Sequence, residues 1–330
     1  MSEMFCFQCE QTAKGTGCTK SGVCGKKPDT ANLQDRLTGE LVALAKAASD
    51  PSAETYKVIL EGLFTTITNV AFENAAIERQ IERTRLAALQ ANPHCAVVDG
   101  CPEYEPLDMK ELWGANEDVR SLKSLLLLGM RGMAAYAYHA LMLGKTDDEV
   151  NAFFVRGLKA LDEDLSVSEL YDLVMEFGGV NLKCMALLDE ANTSAYGTPE
   201  PTKVTANVEP GPFIVVTGHD LKDLEDLLKQ TEGKGINIYT HGEMLPAHAY
   251  PGLKSYKHLK GNFGTAWQNQ QKEFDSMPGA VLFTTNCLMP VRDSYKDRVF
   301  TTEVVNHDGI THIGEDKDFT PVIEKALELG

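Results

Sequence analysis

The sequence lacks any hydrophobic run long enough to cross a membrane. No segment of the 330 residues approaches the roughly 18 consecutive apolar residues that a membrane helix needs. The first residues, MSEMFC, also lack the basic flank and apolar core of a secretory signal peptide. These absences predict a cytoplasmic protein, whose thiols are kept reduced.

Basic residues are scarce as well. Lys and Arg number 31 against 48 Asp and Glu, which gives a formal net charge of −17. No basic patch stands out of the kind that binds a phosphate backbone, so we expect no nucleic-acid partner. The acidity favours solubility, with long-range steering of a redox partner as the sharper alternative.

Cysteine is where the sequence is most informative. The chain has 8 cysteines, and half of them lie in one short segment with the spacing C-x2-C-x8-C-x5-C: Cys6, Cys9, Cys18 and Cys24. Gly15, Gly17 and Gly22 allow the tight turns that would bring the thiols together. Such clustering in a cytosolic chain indicates metal or redox chemistry. The loose spacing favours an iron–sulfur cluster, with a zinc site or redox-active thiols as alternatives.

The first 200 residues are predicted to form a helical bundle behind the cysteine loop at 1–28. A leucine stripe at Leu33, Leu37, Leu41 and Leu44 indicates the first helix. Ser166 and Glu169 match a capping box, which marks a helix start. The other predicted helices are Ala53–Gln90, Glu117–Leu143, Thr146–Leu161 and Val167–Asn192.

The residues after the linker Tyr196–Pro212 follow a different pattern, in which short apolar strands alternate with helices. This alternation is typical of a doubly wound parallel α/β (Rossmann-like) domain, predicted here at 201–330. The predicted strands are Phe213–Thr217, Ile236–Thr240, Ala280–Thr285 and a weaker Arg298–Val305, and the predicted helices are Asp220–Gln230 and Phe319–Leu329.

Three possible metal ligands follow three of these strands: His219, Glu243 and Cys287. The carboxyl ends of parallel strands lie at one edge of a sheet, where ligands bind. A nitrogen, a carboxylate and a thiolate at that edge would form a mixed metal site. Two alternatives are a histidine that only makes a turn hydrogen bond and an inert buried cysteine. His241 and His248 are rival ligands on the same loop.

Several runs of sequence resemble the hybrid cluster (prismane) proteins, also called hydroxylamine reductases. The N-terminal runs are FCFQCEQT at 5–12, GCT at 17–19, GVCGK at 22–26 and NLQD at 32–35. The runs in the second half are VTGHD at 216–220, YTHGEMLPA at 239–247, GNFGTAW at 261–267 and TTNC at 284–287. The resemblance covers nearly the whole chain.

The resemblance implies two cofactors. A [4Fe–4S] cluster would be bound by the four N-terminal cysteines, although some relatives carry a [2Fe–2S] cluster on a wider spacing. A hybrid [4Fe-2O-2S] cluster would take His219, Glu243 and Cys287 as part of its ligands. Trp267 and Asn286 would lie near the substrate pocket.

The implied activity is the reduction of small nitrogen oxyspecies. Hydroxylamine would be reduced to ammonia, with nitric oxide reduction to nitrous oxide as a further candidate. Electrons from a redox partner protein would enter at the N-terminal cluster. Such chemistry belongs to nitrogen metabolism and the response to nitrosative stress.

The family pattern extends beyond this chain, because the hybrid cluster also takes further cysteines and a second glutamate from a third domain. We therefore expect either a fragment or one half of a split enzyme with a complementing chain, and little activity from the 330 residues alone. Cys95, Cys101 and Cys184 match no cluster motif. Cys184 is predicted to be a core residue, and the other two have no assigned role.

The sequence leaves two other functions open. The chain could be an electron-transfer or partial-subunit module whose active site needs a partner. It could also be a relative of carbon monoxide dehydrogenase, although the segment 4–25 favours the hybrid cluster proteins.

Overall fold

The computed structural model describes residues 4–96 and 104–330. They divide into two compact units. The helical unit comprises Met1–Ile67 and Glu73–Asp189, and the sheet unit comprises Thr68–Phe72 and Glu190–Gly330. In the part of the chain that is described, no helix has the length and apolar character needed to span a bilayer.

The helical unit is a bundle behind the cysteine loop. Leu37, Leu41 and Leu44 of the predicted stripe are fully buried, because they lie on one face of the first helix. The capping box is confirmed by reciprocal bonds between the side chain of Glu169 and the Ser166 amide (2.8 Å), and between the Glu169 amide and the Ser166 hydroxyl (3.3 Å). The helices are α1 (Pro28–Ala47), α2 (Ala53–Thr65), α3 (Asn74–Ala91), α4 (Met109–Gly114), α5 (Glu117–Met142), α6 (Asp148–Ala160) and α7 (Val167–Tyr196).

The predicted continuous helix over 53–90 is wrong, since the structure has two helices, α2 and α3, joined by a connection. The Thr66 hydroxyl donates to the carbonyl of Leu63 (2.7 Å), a local bond that competes with helix continuation. Asn69 then adopts a left-handed conformation with φ of +60°. The connection belongs in part to the sheet unit, where Ala71 forms a parallel bridge with Asn306.

The sheet unit contains one parallel six-stranded sheet with the order β3-β2-β1-β4-β5-β6. Its centre is apolar and buried, as the sequence predicts for strands covered on both faces. This arrangement confirms the predicted fold class, a helical region followed by a doubly wound α/β domain. The strands are β1 (Phe213–Thr217), β2 (Asn237–His241), β3 (Leu259–Phe263), β4 (Ala280–Phe283), β5 (Val299–Thr301) and β6 (Thr311–His312). The helices are α8 (Leu221–Thr231), α9 (Pro251–Lys254), α10 (Gln270–Glu273) and α11 (Thr320–Leu329).

Two strands, β3 and β6, were not predicted from the sequence. They are the two edges of the sheet, and β3 reads LKGNF, with polar residues in place of a continuous apolar run. Edge strands are only half covered, so their composition resembles that of a loop. Three other strands differ from the prediction in their bounds. β2 is shifted by one residue, β4 ends at Phe283, and the weak strand predicted over 298–305 is reduced to β5.

Candidate metal centres

Backbone hydrogen bonds bring two of the N-terminal cysteines side by side. The Cys6 amide donates to the Cys18 carbonyl (3.1 Å), and the Cys18 amide donates to the Cys6 carbonyl (2.8 Å), as in an antiparallel strand pair. Thr12 closes the intervening loop, because its amide bonds to the Cys9 carbonyl (3.1 Å) and its hydroxyl to the Cys6 carbonyl (3.0 Å). The loop is therefore shaped by main-chain bonds around its thiols.

The Cys18 sulfur accepts hydrogen bonds from the loop. The Ala13 amide lies 3.4 Å from Cys18 Sγ, and the Thr12 hydroxyl lies 3.7 Å from it. Burial by itself would raise the pKa of Cys18, but bonds from the Ala13 and Val23 amides and the Thr12 hydroxyl, with Lys26 nearby, bring it below the ordinary thiol value. Donors of this kind stabilise a thiolate, which is the form that binds a metal.

Glycine is required at two positions of the loop. Gly17 has φ of +146°, and a Cβ there would lie 2.5 Å from the Phe5 ring. A Cβ on Gly22 would lie 3.0 Å from Cys24 Sγ and 3.1 Å from Lys26 Cβ. Both glycines therefore allow the chain to pass close to groups at the candidate site.

A small cavity beside Cys6 is lined by charged side chains that are rarely buried. Lys26 is 2% exposed and Arg131 of α5 is 6% exposed, and Asp35 of α1 lines the same cavity. Burial lowers the pKa of Lys26, and negative charge on the nearby Cys6 and Cys24 sulfurs opposes this effect. Burial raises the pKa of Asp35 to about 6, although Arg131 and Lys26 act in the opposite direction.

Three cysteines belong neither to the N-terminal loop nor to the strand ends. One is a core residue, and the other two lie wholly or partly outside the described residues. Cys184 is fully buried, and its thiol donates to the Met133 carbonyl (3.6 Å), which confirms it as a core residue. Burial raises the pKa of Cys184 to about 12. The side chain of Cys95 and the whole of Cys101 lie outside the described residues.

The sheet unit brings the three predicted strand-end ligands to one edge of the sheet. His219 follows β1, Glu243 follows β2 and Cys287 follows β4, and β1 is paired with both of the other strands. His219 Nε2 lies 3.2 Å from Glu243 Oε2. Burial, together with the Glu243 carboxylate, raises the pKa of Cys287 to about 12. The side chains of His219 and Glu243 remain 31% and 59% exposed, so solvent reaches the pair.

The orientation of His219 depends on its neighbours. Gly218 has φ of +114°, and a Cβ there would lie 2.5 Å from Thr284 Oγ1 and 2.7 Å from the Thr285 nitrogen. The His219 amide donates to Thr285 Oγ1 (2.7 Å), and His219 Nδ1 lies 3.4 Å from that same oxygen. Thr285 thus holds one side of the imidazole while Nε2 faces Glu243.

Cys287 adopts a left-handed backbone conformation, with φ of +75°. Such a conformation costs a non-glycine residue about 1–2 kcal/mol, so its surroundings must hold it. The side-chain amide of fully buried Gln270 donates to the Cys287 carbonyl (2.6 Å) and accepts from the Met289 amide (3.0 Å). Asn69 donates from its side-chain Nδ2 to the Leu288 carbonyl (2.8 Å), and its backbone carbonyl accepts from the Leu288 amide (2.9 Å). We call Gln270 and Asn69 the amide clamp.

The two rival histidines have other partners. His241 is fully buried, with Nδ1 3.1 Å from Thr217 Oγ1 and Nε2 3.0 Å from Glu273 Oε2. Burial lowers the pKa of His241, and Glu273 opposes this effect. His248 Nε2 lies 2.9 Å from Thr240 Oγ1. These contacts give both rings structural partners within the sheet unit.

The two residues assigned to the pocket by resemblance lie next to the strand-end ligands. Asn286 Nδ2 lies 3.9 Å from Cys287 Sγ. The Trp267 backbone nitrogen lies 3.8 Å from the position of a Cβ on Gly242, the residue before Glu243. Both residues are half-buried, which suits side chains at the rim of an accessible site.

Sequence reasoning missed the residues that support these centres. Lys26 belongs to the GVCGK run at 22–26, and no motif in the sequence includes Arg131, Gln270 or Asn69. A single Lys, Arg, Gln or Asn in a sequence carries no signal that it will be buried beside a thiol. The sequence offers one indication for Asn69: an Asn that follows the threonine-rich run TTIT at 65–68 favours a turn.

The effect of Glu243 on Cys287 can be tested by alkylation of the iron-free chain at pH 8. Because the carboxylate raises the pKa of Cys287, Glu243→Gln should increase the thiolate fraction and the rate of iodoacetamide modification. The rate should stay below that of the unfolded chain, since burial is the larger cause of the shift. Peptide mass spectrometry measures it. Glu232→Gln, at the end of α8, is the control, and equal Cys287 rates in both variants would contradict the prediction.

Loss of the amide clamp should loosen the Cys287 turn. Gln270→Leu leaves the Cys287 carbonyl and the Met289 amide without their partner, which costs about 1–3 kcal/mol for each buried polar group left unsatisfied. We expect a lower free energy of unfolding and faster amide hydrogen exchange over residues 286–290. Exposed Gln268→Leu is the matched control. Unchanged exchange in Gln270→Leu would show that the turn does not need the clamp.

Comparison with known proteins places this arrangement in a family. Residues 4–330 match the prismane/CO dehydrogenase family. Proteins named hydroxylamine reductase from Desulfitobacterium hafniense (strain Y51), Kosmotoga olearia and Thermodesulfovibrio yellowstonii are each 49% identical to this chain, over 99% of its length. The chain spans 65% of the length of these relatives. The chain belongs to the prismane/CO dehydrogenase family.

Proposed function

We propose that the protein is an iron–sulfur oxidoreductase that reduces hydroxylamine to ammonia, with nitric oxide as an alternative substrate. The observation that carries this proposal is the placement of His219, Glu243 and Cys287 after three neighbouring parallel strands, with His219 Nε2 3.2 Å from Glu243 Oε2. The name of the relatives, hydroxylamine reductase, supports it. Because the chain spans 65% of their length, the reaction is assigned to the complete enzyme.

The N-terminal loop fits an iron–sulfur cluster. Its four cysteines form no disulfide, and Cys18 already receives amide and hydroxyl donors that favour a thiolate. The buried cations Lys26 and Arg131 favour an anionic group beside Cys6. We assign a [4Fe–4S] cluster to these residues: Cys6, Cys9, Cys18 and Cys24.

The sheet edge fits part of a hybrid cluster site. His219, Glu243 and Cys287 supply one nitrogen, one carboxylate and one sulfur, a donor set suited to iron. Cys287 would release its proton on binding a metal, because the metal takes the thiolate. The other ligands would come from the rest of the complete enzyme, on the same chain or on a complementing chain.

The chemistry at the sheet edge is a two-electron reduction. Hydroxylamine takes up two electrons and two protons, its N–O bond breaks, and ammonia and water leave. A hybrid cluster, when bound, supplies the open iron at which such a bond is reduced. Within the chain, Thr285 orients His219, and the exposed carboxylate of Glu243 lies where a proton from solvent can reach the site. Asn286 and Trp267 would contact the substrate.

A redox partner protein would deliver the electrons to the N-terminal loop. The loop is the place for their entry, because it carries four cysteines and three of them, Cys6, Cys9 and Cys24, are half-buried. An electron-transfer module is the second candidate function. It is favoured by this same completeness of the loop, which needs no ligand from elsewhere.

Metal analysis tests the N-terminal assignment. Anaerobically purified chain should hold about four irons and four sulfides at the loop. Cys9→Ser should lose most of that iron and the visible absorbance, because a cubane needs its four thiolates. Core Cys184→Ala should keep both. One zinc per chain without labile sulfide would contradict the assignment.

Activity of the complete enzyme tests the sheet-edge assignment. His219→Ala should lower ammonia formation from hydroxylamine, with reduced methyl viologen as donor, by more than about 100-fold, since loss of a ligand exceeds the effect of losing its supporting residues. The absorbance of the N-terminal cluster should remain. Exposed His94→Ala is the control. Full activity in His219→Ala would show that His219 is not part of the site. If the unmodified enzyme transfers electrons but does not reduce hydroxylamine, the electron-transfer module is favoured.

A further inference from the structure

The charges beside Cys6 do not balance within the protein. Two cations, Lys26 and Arg131, and one carboxylate, Asp35, line the cavity next to Cys6 in the helical unit. Both cations are more than nine-tenths buried. Buried charge is costly unless an opposite charge lies close to it. An excess of one positive charge at this place therefore requires an explanation.

The partner of Lys26 is neutral. Its ammonium donates to the side-chain carbonyl of Gln34, and among the described residues it forms no ion pair with a carboxylate. The Lys26 backbone carbonyl accepts from the Gly22 amide (2.8 Å), which closes a turn around Cys24. A Cβ on Gly22 would lie 3.0 Å from Cys24 Sγ and 3.1 Å from Lys26 Cβ, so both side chains pack against the same glycine. The lysine is thus built into the turn that presents Cys24.

The hydrogen-bond acceptors of Arg131 are neutral as well, and Asp35 is the carboxylate whose charge affects it most. Its guanidinium donates to Gln8 Oε1 (3.1 Å) and Thr38 Oγ1 (3.0 Å). Within the described part of the chain, its Nε atom is buried without a hydrogen-bond partner. Gln8 in turn donates to the Thr66 carbonyl (3.1 Å), which ties the Cys6–Cys9 segment to the helices. Arg131 therefore faces the cysteine loop from α5 with part of its charge unmatched.

An iron–sulfur cluster held by four thiolates would supply the missing negative charge. Its potential depends on the net charge and hydrogen bonding around it. Reduction adds one further electron to the cluster, so a buried cation stabilises the reduced form more than the oxidised form. A buried carboxylate acts in the opposite direction, and low local dielectric strengthens both effects.

We propose that Lys26 and Arg131 raise the reduction potential of the N-terminal cluster, and that Asp35 partly offsets them. The three residues would thereby set which donors can deliver an electron to the loop. This inference rests on the proposed function in one respect, the binding of an iron–sulfur cluster by the four loop cysteines. Lys26 and Arg131 act on the cluster through their charge, without binding iron.

The experiment is a redox titration of the N-terminal cluster at pH 8, followed by electron paramagnetic resonance. Lys26→Met removes the charge and keeps most of the length of the side chain, and Lys26→Arg keeps the charge. Asp35→Asn removes the offsetting carboxylate. Exposed Lys20→Met, on the same loop, removes a charge that solvent screens. Iron and sulfide content are measured on every sample.

We expect Lys26→Met to lower the ratio of reduced to oxidised cluster at a fixed potential by about tenfold, equivalent to about 59 mV for one electron. Asp35→Asn should shift the ratio in the opposite direction. Lys26→Arg and Lys20→Met should titrate close to the unmodified chain. Because the two test variants shift in opposite directions, general loosening of the loop would not produce the same pattern.

Other outcomes are equally informative. If Lys26→Met and Asp35→Asn hold full iron and sulfide, yet their clusters have the same reduction potential as that of Lys20→Met, the inference is overturned and the proposed function stands. If Lys26→Met holds no cluster, opposite shifts in Arg131→Met and Asp35→Asn would still support it, and unchanged potentials would overturn it. If the unmodified chain binds zinc without sulfide, both the cluster assignment and this inference fail.

Discussion

The register of three central strands is the constraint on which the sheet-edge site depends. Thr217 at the end of β1 is paired with His241 on one side and with Phe283 on the other. His219 and Glu243 therefore both lie two residues beyond the same rung of the sheet, and Cys287 lies four residues beyond it. A slip of one residue would turn alternate side chains to the opposite face. The chemistry at the edge thus depends on main-chain hydrogen bonds several residues away.

The N-terminal loop is organised in a different way. Its shape comes from the Cys6–Cys18 backbone pairing, the Thr12 bonds and close passages at Gly17 and Gly22. The cluster proposed for this loop would add to its stability, since metal binding is coupled to folding. The two buried cations next to it fit the same picture, because Asp35 is the single carboxylate among the described residues that line their cavity.

Long-range contacts complete the sheet-edge site. Asn69 and Leu288 are 219 residues apart in the chain, yet they exchange backbone and side-chain hydrogen bonds. The break between α2 and α3 is therefore more than a loop, since it carries Asn69 into the sheet unit. Together with Gln270 it holds Cys287 in a conformation that few non-glycine residues adopt. The conformation of Cys287, a proposed ligand, thus depends on two residues that no local pattern associates with it.

The sequence by itself determined the fold class, the helix start at Ser166, the core position of Cys184 and the order in which strand ends carry possible ligands. These features depend on local spacing and on hydrophobic periodicity, which can be read along the chain. The tertiary structure alone decided that β3 and β6 form edges and that α2 and α3 are separate. It also decided that Lys26 and Arg131 are buried in a cavity beside Cys6 and that Gln270 and Asn69 hold the backbone at Cys287 and Leu288. Such contacts join residues that are far apart in sequence, and their energies come from burial and charge, which exist only once the chain has folded.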